Sequence, residues 1–253
     1  MMLHPFLDSG LPLAFAHRGG ASDAPENTLP AFQNAIDLGY RYLETDVHAT
    51  GDGVLLAFHD DDLARTCATP GRISEMDYDQ VRGARVNGRE PIPLMADLLS
   101  TWPSARINID CKSDSALRPL IDLLEASKCL DRVCVGSFSD DRLQTIRDHF
   151  GAALCTSLGP KEVARLRLRS WLRRKPLFPN ANAAQIPLKH GPITVTDKSL
   201  VDAAHEAGLQ VHVWTIDDVS EMDHVLDIGV DGIMTDRPAV LREVLQARNL
   251  WNN

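Results

Sequence analysis

The chain has 253 residues, 44% apolar and 24% charged, enough to bury a substantial core and inconsistent with a disordered polymer. Its 26 Lys and Arg against 35 Asp and Glu leave a formal charge of -9, which argues against a nucleic-acid partner. A phosphate-bearing substrate stays open, because a bound cation reverses the local field.

Leu13–His17 reads as the first strand, followed by a helix over Leu29–Leu38 that stops at Gly39. Tyr42–Val47 and Val54–His59 are two further β-like runs. Arg106–Cys111, Val133–Gly136, Ala153–Thr156, Ala183–Pro187, Gln210–Thr215 and Val230–Thr235 follow. Helical patterns are expected at Leu117–Ser127, Asp140–Phe150, Pro160–Leu172, Asp197–Ala207, Val219–Leu226 and Ala239–Ala247. Strands alternating with helices imply a parallel sheet wrapped by helices, and about 250 residues suffice for one α/β (β/α)₈ TIM barrel. The stretch 61–93 breaks the rhythm. It is polar and turn-rich (Pro70-Gly71, Asn87-Gly88) and reads as an insertion over one barrel mouth, leaving 1–253 as a single domain.

Five cysteines (Cys67, Cys111, Cys129, Cys134, Cys155) are an odd number without C-x-x-C spacing, which suggests reduced thiols. No basic leader precedes Arg18, and no apolar run reaches the roughly 18 residues of a membrane span. The expectation is a cytoplasmic protein.

Polar residues gather at the C-terminal ends of the predicted strands, where a barrel carries its active site. His17-Arg18-Gly19-Gly20 follows the first strand, Glu44 and Asp46 close the second, and His59-Asp60 closes the run after it. Asn108, Asp110 and Lys112 share one face of their strand, with Ile107, Ile109 and Cys111 on the other. Three carboxylates (Glu44, Asp46, Asp110) at one mouth repel one another without a cation, and an all-oxygen set favours Mg²⁺ or Ca²⁺. Taken singly, an E-x-D on a strand more often pairs its acids with a rim Lys or Arg. A lone strand-end His is likewise more often structural, but His17 and His59 flank the acids. Phosphodiester cleavage needs a base and an acid, and imidazole serves either role near pH 7. Trp214, at a strand end, is a candidate substrate contact. Asn27 either orients a histidine or caps the following helix. His48 and Gln185 receive no role.

These motifs resemble the glycerophosphodiester phosphodiesterase family over nearly the whole chain. The matching residues are His17-Arg18-Gly19, Glu26-Asn27-Thr28, Glu44-x-Asp46-Val47, His59-Asp60, Arg65-Thr66, Val213-Trp214-Thr215 and Gly229–Pro238. The resemblance implies a barrel, one divalent cation, and hydrolysis of a glycerophosphodiester to glycerol 3-phosphate and an alcohol. It assigns the metal to Glu44, Asp46 and Asp110, acid–base chemistry to His17 and His59, and phosphate or substrate contacts to Arg18 and Lys112. The family usually carries Glu-x-Lys where this chain has Asp110-Cys111-Lys112, and the shorter acid leaves metal preference open. Arg165–Lys175 is basic and interleaved with Leu and Trp; it reads as a solvated helix or a weak membrane contact. The alternatives to a soluble-diester hydrolase are a lysophospholipase D at a membrane surface and a catalytically inactive binding barrel. The sequence leaves the oligomeric state open.

Overall fold

Period-2 strands alternating with amphipathic helices resolve into a barrel in the computed structural model, which describes residues 3–8, 10, 12–22, 24–172, 178 and 181–251. The staves are β1 (Leu13–Ala16), β2 (Tyr42–Ala49), β3 (Arg106–Cys111), β4 (Val133–Gly136), β5 (Cys155–Thr156), β6 (Ala183–Pro187), β7 (Gln210–Trp214) and β8 (Gly232–Thr235). All their pairings are parallel, in the order β5-β4-β3-β2-β1-β8-β7-β6. A parallel bridge between Ser157 and Ala183 joins the two ends and closes the ring.

The outer layer is α1 (Leu29–Asp37), α2 (Met95–Thr101), α3 (Asp114–Ser127), α4 (Asp140–Phe150), α5 (Pro160–Leu172), α6 (Lys198–Glu206), α7 (Val219–Asp227) and α8 (Pro238–Ala247). Side-chain alternation splits each stave between two cores. Leu43, Val47, Ile107, Ile109 and Val135 point outward against the first helices, and Ile186, Val211, Val213 and Ile233 do so against the later ones. Inside, Phe6, Phe15 and Tyr42 pack the N-terminal end, where the turn Pro5–Leu7 plugs the barrel, and Met234 joins this cluster while also lining the cavity at the other mouth. Tyr42 donates its hydroxyl to the Phe6 carbonyl at 2.6 Å and fixes that plug.

Two elements depart from the sequence reading. The run expected at Val54–His59 is a short strand, Leu55–Ala57, and it is not a stave. It pairs antiparallel with the end of β2, Val47 opposite Ala57 and Ala49 opposite Leu55. The connection through Gly51-Asp52-Gly53 is far too short for the crossover that parallel pairing demands, so the chain turns back as a hairpin. Helix α2 was not expected, because at seven residues it offers too few turns to show a period.

Residues 61–93 form the expected excursion. It holds two short helices, Ala64–Cys67 and Tyr78–Val81, and a small antiparallel pair, Arg85–Val86 with Glu90–Pro91. Leu63, Ile73, Val81 and Val86 pack with Leu56 and Phe58 into a small core of their own. The five cysteines are buried and unbridged.

Candidate active site

The eight residues singled out from the sequence line one cavity of about 680 Å³ at the C-terminal mouth of the barrel. His17 and Arg18 come from a tight 3₁₀ turn directly after β1. The turn needs Gly19, whose φ is +83° and where a Cβ would stand 2.8 Å from the backbone nitrogen of Phe32. Glu44 and Asp46 project inward from β2, and their register partners on β3 are Asn108 and Asp110. His59 lies two residues beyond the hairpin strand, on the entry to the excursion.

Both imidazoles are held at Nδ1 by an aspartate. His17 Nδ1 lies 2.7 Å from Asp236 Oδ1, and His59 Nδ1 lies 2.6 Å from Asp60 Oδ1. His17 Nε2 is 3.8 Å from Glu44 Oε2. Burial alone would lower the His17 pKa, but the Glu44 and Asp236 carboxylates outweigh it and raise the value.

The acids are bonded to cations of the protein. Lys112 Nζ sits between Asp46 Oδ1 at 2.9 Å and Asp110 Oδ2 at 2.8 Å. Arg18 Nε lies 3.3 Å from Asp46 Oδ2, its Nη1 donates to Glu26, and its backbone N–H donates to Glu44 Oε2 at 3.0 Å. Burial opposes ionisation of Asp46, but Lys112 and Arg18 hold its pKa below the usual carboxylate value. Glu44 is bonded by no Lys or Arg side chain, and its neighbours are His17 Nε2 and the Arg18 N–H. Burial, reinforced by Asp46 beside it, pushes its carboxyl up to about 7. Burial also raises Asp110, whose Oδ1 is buried with no hydrogen-bond partner.

The rim-pairing arrangement therefore holds for Asp46 and Asp110 in this state. Among the described residues, no three His, Cys, Asp or Glu side chains are grouped as a ligand set, because Lys112 stands between two of the acids. Trp214 closes the opposite wall, its ring edge-on to exposed Phe138 at a centroid distance of 5.7 Å.

The sequence profile of the family described as "Glycerophosphoryl diester phosphodiesterase family" matches residues 17–240, which spans every site residue above. The chain belongs to this family. It is accordingly an enzyme that acts on glycerophosphodiesters. A relative from Mycobacterium tuberculosis, described as a probable glycerophosphodiester phosphodiesterase 2, is 38% identical and covers 98% of this chain and 96% of its own length. A crystal structure of a putative family enzyme from Silicibacter pomeroyi shares the fold with a TM-score of 0.81 at 22% identity, covering 97% and 96% of the two chains. An Oleispira antarctica phosphodiesterase, solved in complex with the product sn-glycerol-3-phosphate, aligns with a TM-score of 0.76 at 21% identity, covering 93% and 97%.

Several residues of this phosphodiesterase site escaped the sequence reading. Asn27 neither caps α1 nor touches a histidine: its amide donates to Asp46 Oδ2 at 3.0 Å and accepts from Thr45 at 2.7 Å. His48 Nε2 lies 3.1 Å from the His59 carbonyl and so supports the backbone beneath that imidazole. Arg65 spans Glu26 and Asp60, tying the excursion to the loop after β1. Asp236 lies inside the Gly229–Pro238 motif and one residue past β8, yet received no role from the sequence. Of the basic stretch, Arg173, Arg174 and Lys175 lie outside the described residues. Arg167 forks onto Asp197 at 2.7 and 2.6 Å and lies over the exposed Trp171 ring. Among the described residues no helix is long and apolar enough to cross a membrane.

Proposed function

We propose that the cavity hydrolyses a glycerophosphodiester to glycerol 3-phosphate and an alcohol, with His17 and His59 as the acid–base pair and one divalent cation held by Glu44, Asp46 and Asp110. The observation that carries the reading is the shared anchoring of the two imidazoles. Each has Nδ1 committed to an aspartate, Asp236 or Asp60, which fixes the tautomer and leaves Nε2 to exchange a proton at the cavity. Two anchored imidazoles lining one cavity are what a base and an acid across a phosphodiester require.

The donor set fits a hard cation. It is all oxygen, Asp110 Oδ1 is buried without a partner, and Glu44, which no Lys or Arg side chain bonds, has its carboxyl raised to about 7 by burial and the Asp46 charge; Lys112 would have to withdraw from Asp46 and Asp110 to admit the ion. Glu44, Asp46 and Asp110 would hold Mg²⁺ or Ca²⁺, and the chemistry supplied there would be Lewis-acid stabilisation of phosphoryl charge. Arg18 and Lys112 neutralise phosphate oxygens, and the apolar wall of Trp214 and Phe138 excludes water from one side of the substrate.

His17→Ala and His59→Ala are each expected to lower kcat on a glycerophosphodiester by about 10²-fold or more. Near-wild-type turnover in either variant removes that residue from the pair. EDTA is expected to abolish turnover and added Mg²⁺ or Ca²⁺ to restore it; full activity in the chelated protein discards the carboxylate site.

A second reading is favoured by α5, where Leu168 and Trp171 are exposed on the helix that carries Arg165 and Arg169. Apolar and basic residues on one surface helix suit an anionic membrane, which would extend the substrates to lysophospholipids. Co-sedimentation with anionic liposomes, lost in Leu168→Ser/Trp171→Ser, supports it; no co-sedimentation of the wild type rejects it.

A further inference from the structure

From the N-terminal plug up to the level of Glu44, the barrel interior holds a chain of amides and one imidazole whose donor directions are set from its lower end. The chain starts at the carbonyl of Leu7, which has lone pairs and no hydrogen to give. Gln210 Nε2 donates to that oxygen at 3.4 Å, so Gln210 Oε1 faces the other way, 3.1 Å from His212 Nε2. That nitrogen therefore carries the proton, and Nδ1 is left as a lone pair. Gln185 Nε2 donates to Nδ1 at 3.3 Å and, with its second hydrogen, to Asn108 Oδ1 at 2.7 Å. Reversing any amide would set two acceptors or two donors face to face.

Two ends remain. They are Gln185 Oε1, an acceptor, and Asn108 Nδ2, a donor. Among the described residues neither atom has a further hydrogen-bond partner, and both residues line the cavity. Gln185 Oε1 lies beside Gly136, where an added Cβ would come within 3.2 Å of it. Asn108 stands two residues before Asp110 on β3, level with its register partner Glu44 and about 6.6 Å along the strand below Asp46 and Asp110.

We propose that Gln185 Oε1 and Asn108 Nδ2 form the hydroxyl-recognition subsite for the glycerol moiety of the substrate. An alcohol satisfies both at once, donating its hydrogen to Gln185 and accepting from Asn108. An ammonium leaves the donor unpaired, and a carboxylate repels the acceptor. A three-carbon polyol esterified to a phosphate at the level of Asp46 and Asp110 reaches one strand step down to this pair with a free hydroxyl. The subsite thus reads the half of the substrate common to all glycerophosphodiesters and leaves the leaving alcohol to the apolar rim. It rests on the proposed glycerophosphodiester hydrolysis.

The test crosses enzyme with substrate. kcat/KM is measured for wild type and Gln185→Leu on a glycerophosphodiester and on its two analogues that lack one or the other free glycerol hydroxyl, with the same leaving alcohol. Wild type is expected to lose roughly 100-fold or more on one analogue, because that analogue leaves a buried donor and acceptor unpaired. Gln185→Leu is expected to lose a similar factor on the glycerol substrate and to treat that analogue no worse. Equal losses on all substrates, or a penalty for the missing hydroxyl that persists undiminished in Gln185→Leu, overturn the subsite. So does a wild type that handles both analogues within about 5-fold of the glycerol diester, a result that needs no variant. If Gln185→Leu does not fold, Gln185→Met, close in length, carries the same comparison. Turnover of the glycerol diester without hydroxyl discrimination removes this inference alone, whereas no turnover of any glycerophosphodiester removes the parent reading and this subsite with it.

Discussion

Lowering the pH from about 7.5 to about 5 protonates His212 in the unfolded chain and leaves it neutral in the folded one. The imidazole is fully buried, packs on the Phe15 ring at 4.9 Å, and lies so close to Gly232 that a Cβ there would fall 2.9 Å from its Cδ2. With one nitrogen donating to Gln210 and the other accepting from Gln185, a second proton has nowhere to go, and burial pushes the pKa down to about 4. The unfolded value is near ~6.5. For a base with a depressed folded pKa, the unfolded state binds more protons between about 4 and 6.5, so stability falls as the pH falls through that window. At about pH 5 the loss is about 2 kcal/mol, or roughly 4–8 °C in Tm for a chain of this size. Thermal melts of wild type and His212→Gln at the two pH values isolate the effect. His17 and His205, whose pKa values are raised, titrate in both proteins and drop out of the difference. The Tm gap between wild type and variant should shrink by that amount on acidification. A gap that stays constant would refute the assignment of a neutral, two-sided imidazole.

Arg147 is buried on α4 and bonds Thr156, the Ser157 carbonyl and both oxygens of Glu162. Arg147→Met leaves the Ser157 carbonyl without its guanidinium donor and Glu162 with only the Gly159 N–H, and should cost about 3–5 kcal/mol in urea unfolding; a loss under about 1 kcal/mol would mean that water replaces the guanidinium. Gly19→Ala should cost about 1–3 kcal/mol through its positive φ and also lower activity by displacing the His17-Arg18 turn. Unchanged melting would show that the turn yields. Asp236→Asn removes a carboxylate that helps raise the His17 pKa, so the His17-dependent limb of kcat/KM against pH should move to lower pH. An unmoved limb would assign that limb to another group.

Features with a period or a position rule were legible in the sequence. The run 106–112 alternates polar and apolar residues, and Asn108, Asp110 and Lys112 do face the cavity while Ile107, Ile109 and Cys111 face the helices. Charged residues at the ends of buried strands violate the ordinary rule of burial, which is why Glu44 and Asp46 stood out. What escaped depends on long-range pairing. Nothing near Asn27 shows that its amide will grip Asp46, and nothing near His212 shows that Gln185 and Gln210 will bracket it. The hairpin at Leu55–Ala57 has the composition of a stave, and only the length of the preceding connection separates the two. Asp236 sat inside the Gly229–Pro238 motif, but its partner His17 is 219 residues away in the chain, so its role shows only in the fold.

The two imidazoles of the cavity belong to separately packed pieces of the molecule. His17 rides on the barrel, while His59 stands at the root of an excursion that carries its own small apolar nucleus. Their separation therefore depends on the seam between the two, which includes three residue pairs of one antiparallel ladder, the His48 bond to the His59 carbonyl, the Phe58 N–H on the Asp46 carbonyl, and the Arg65 guanidinium laid across to Glu26. Substitutions that loosen this seam, though remote from any phosphate, would change the span between the imidazoles without touching either ring.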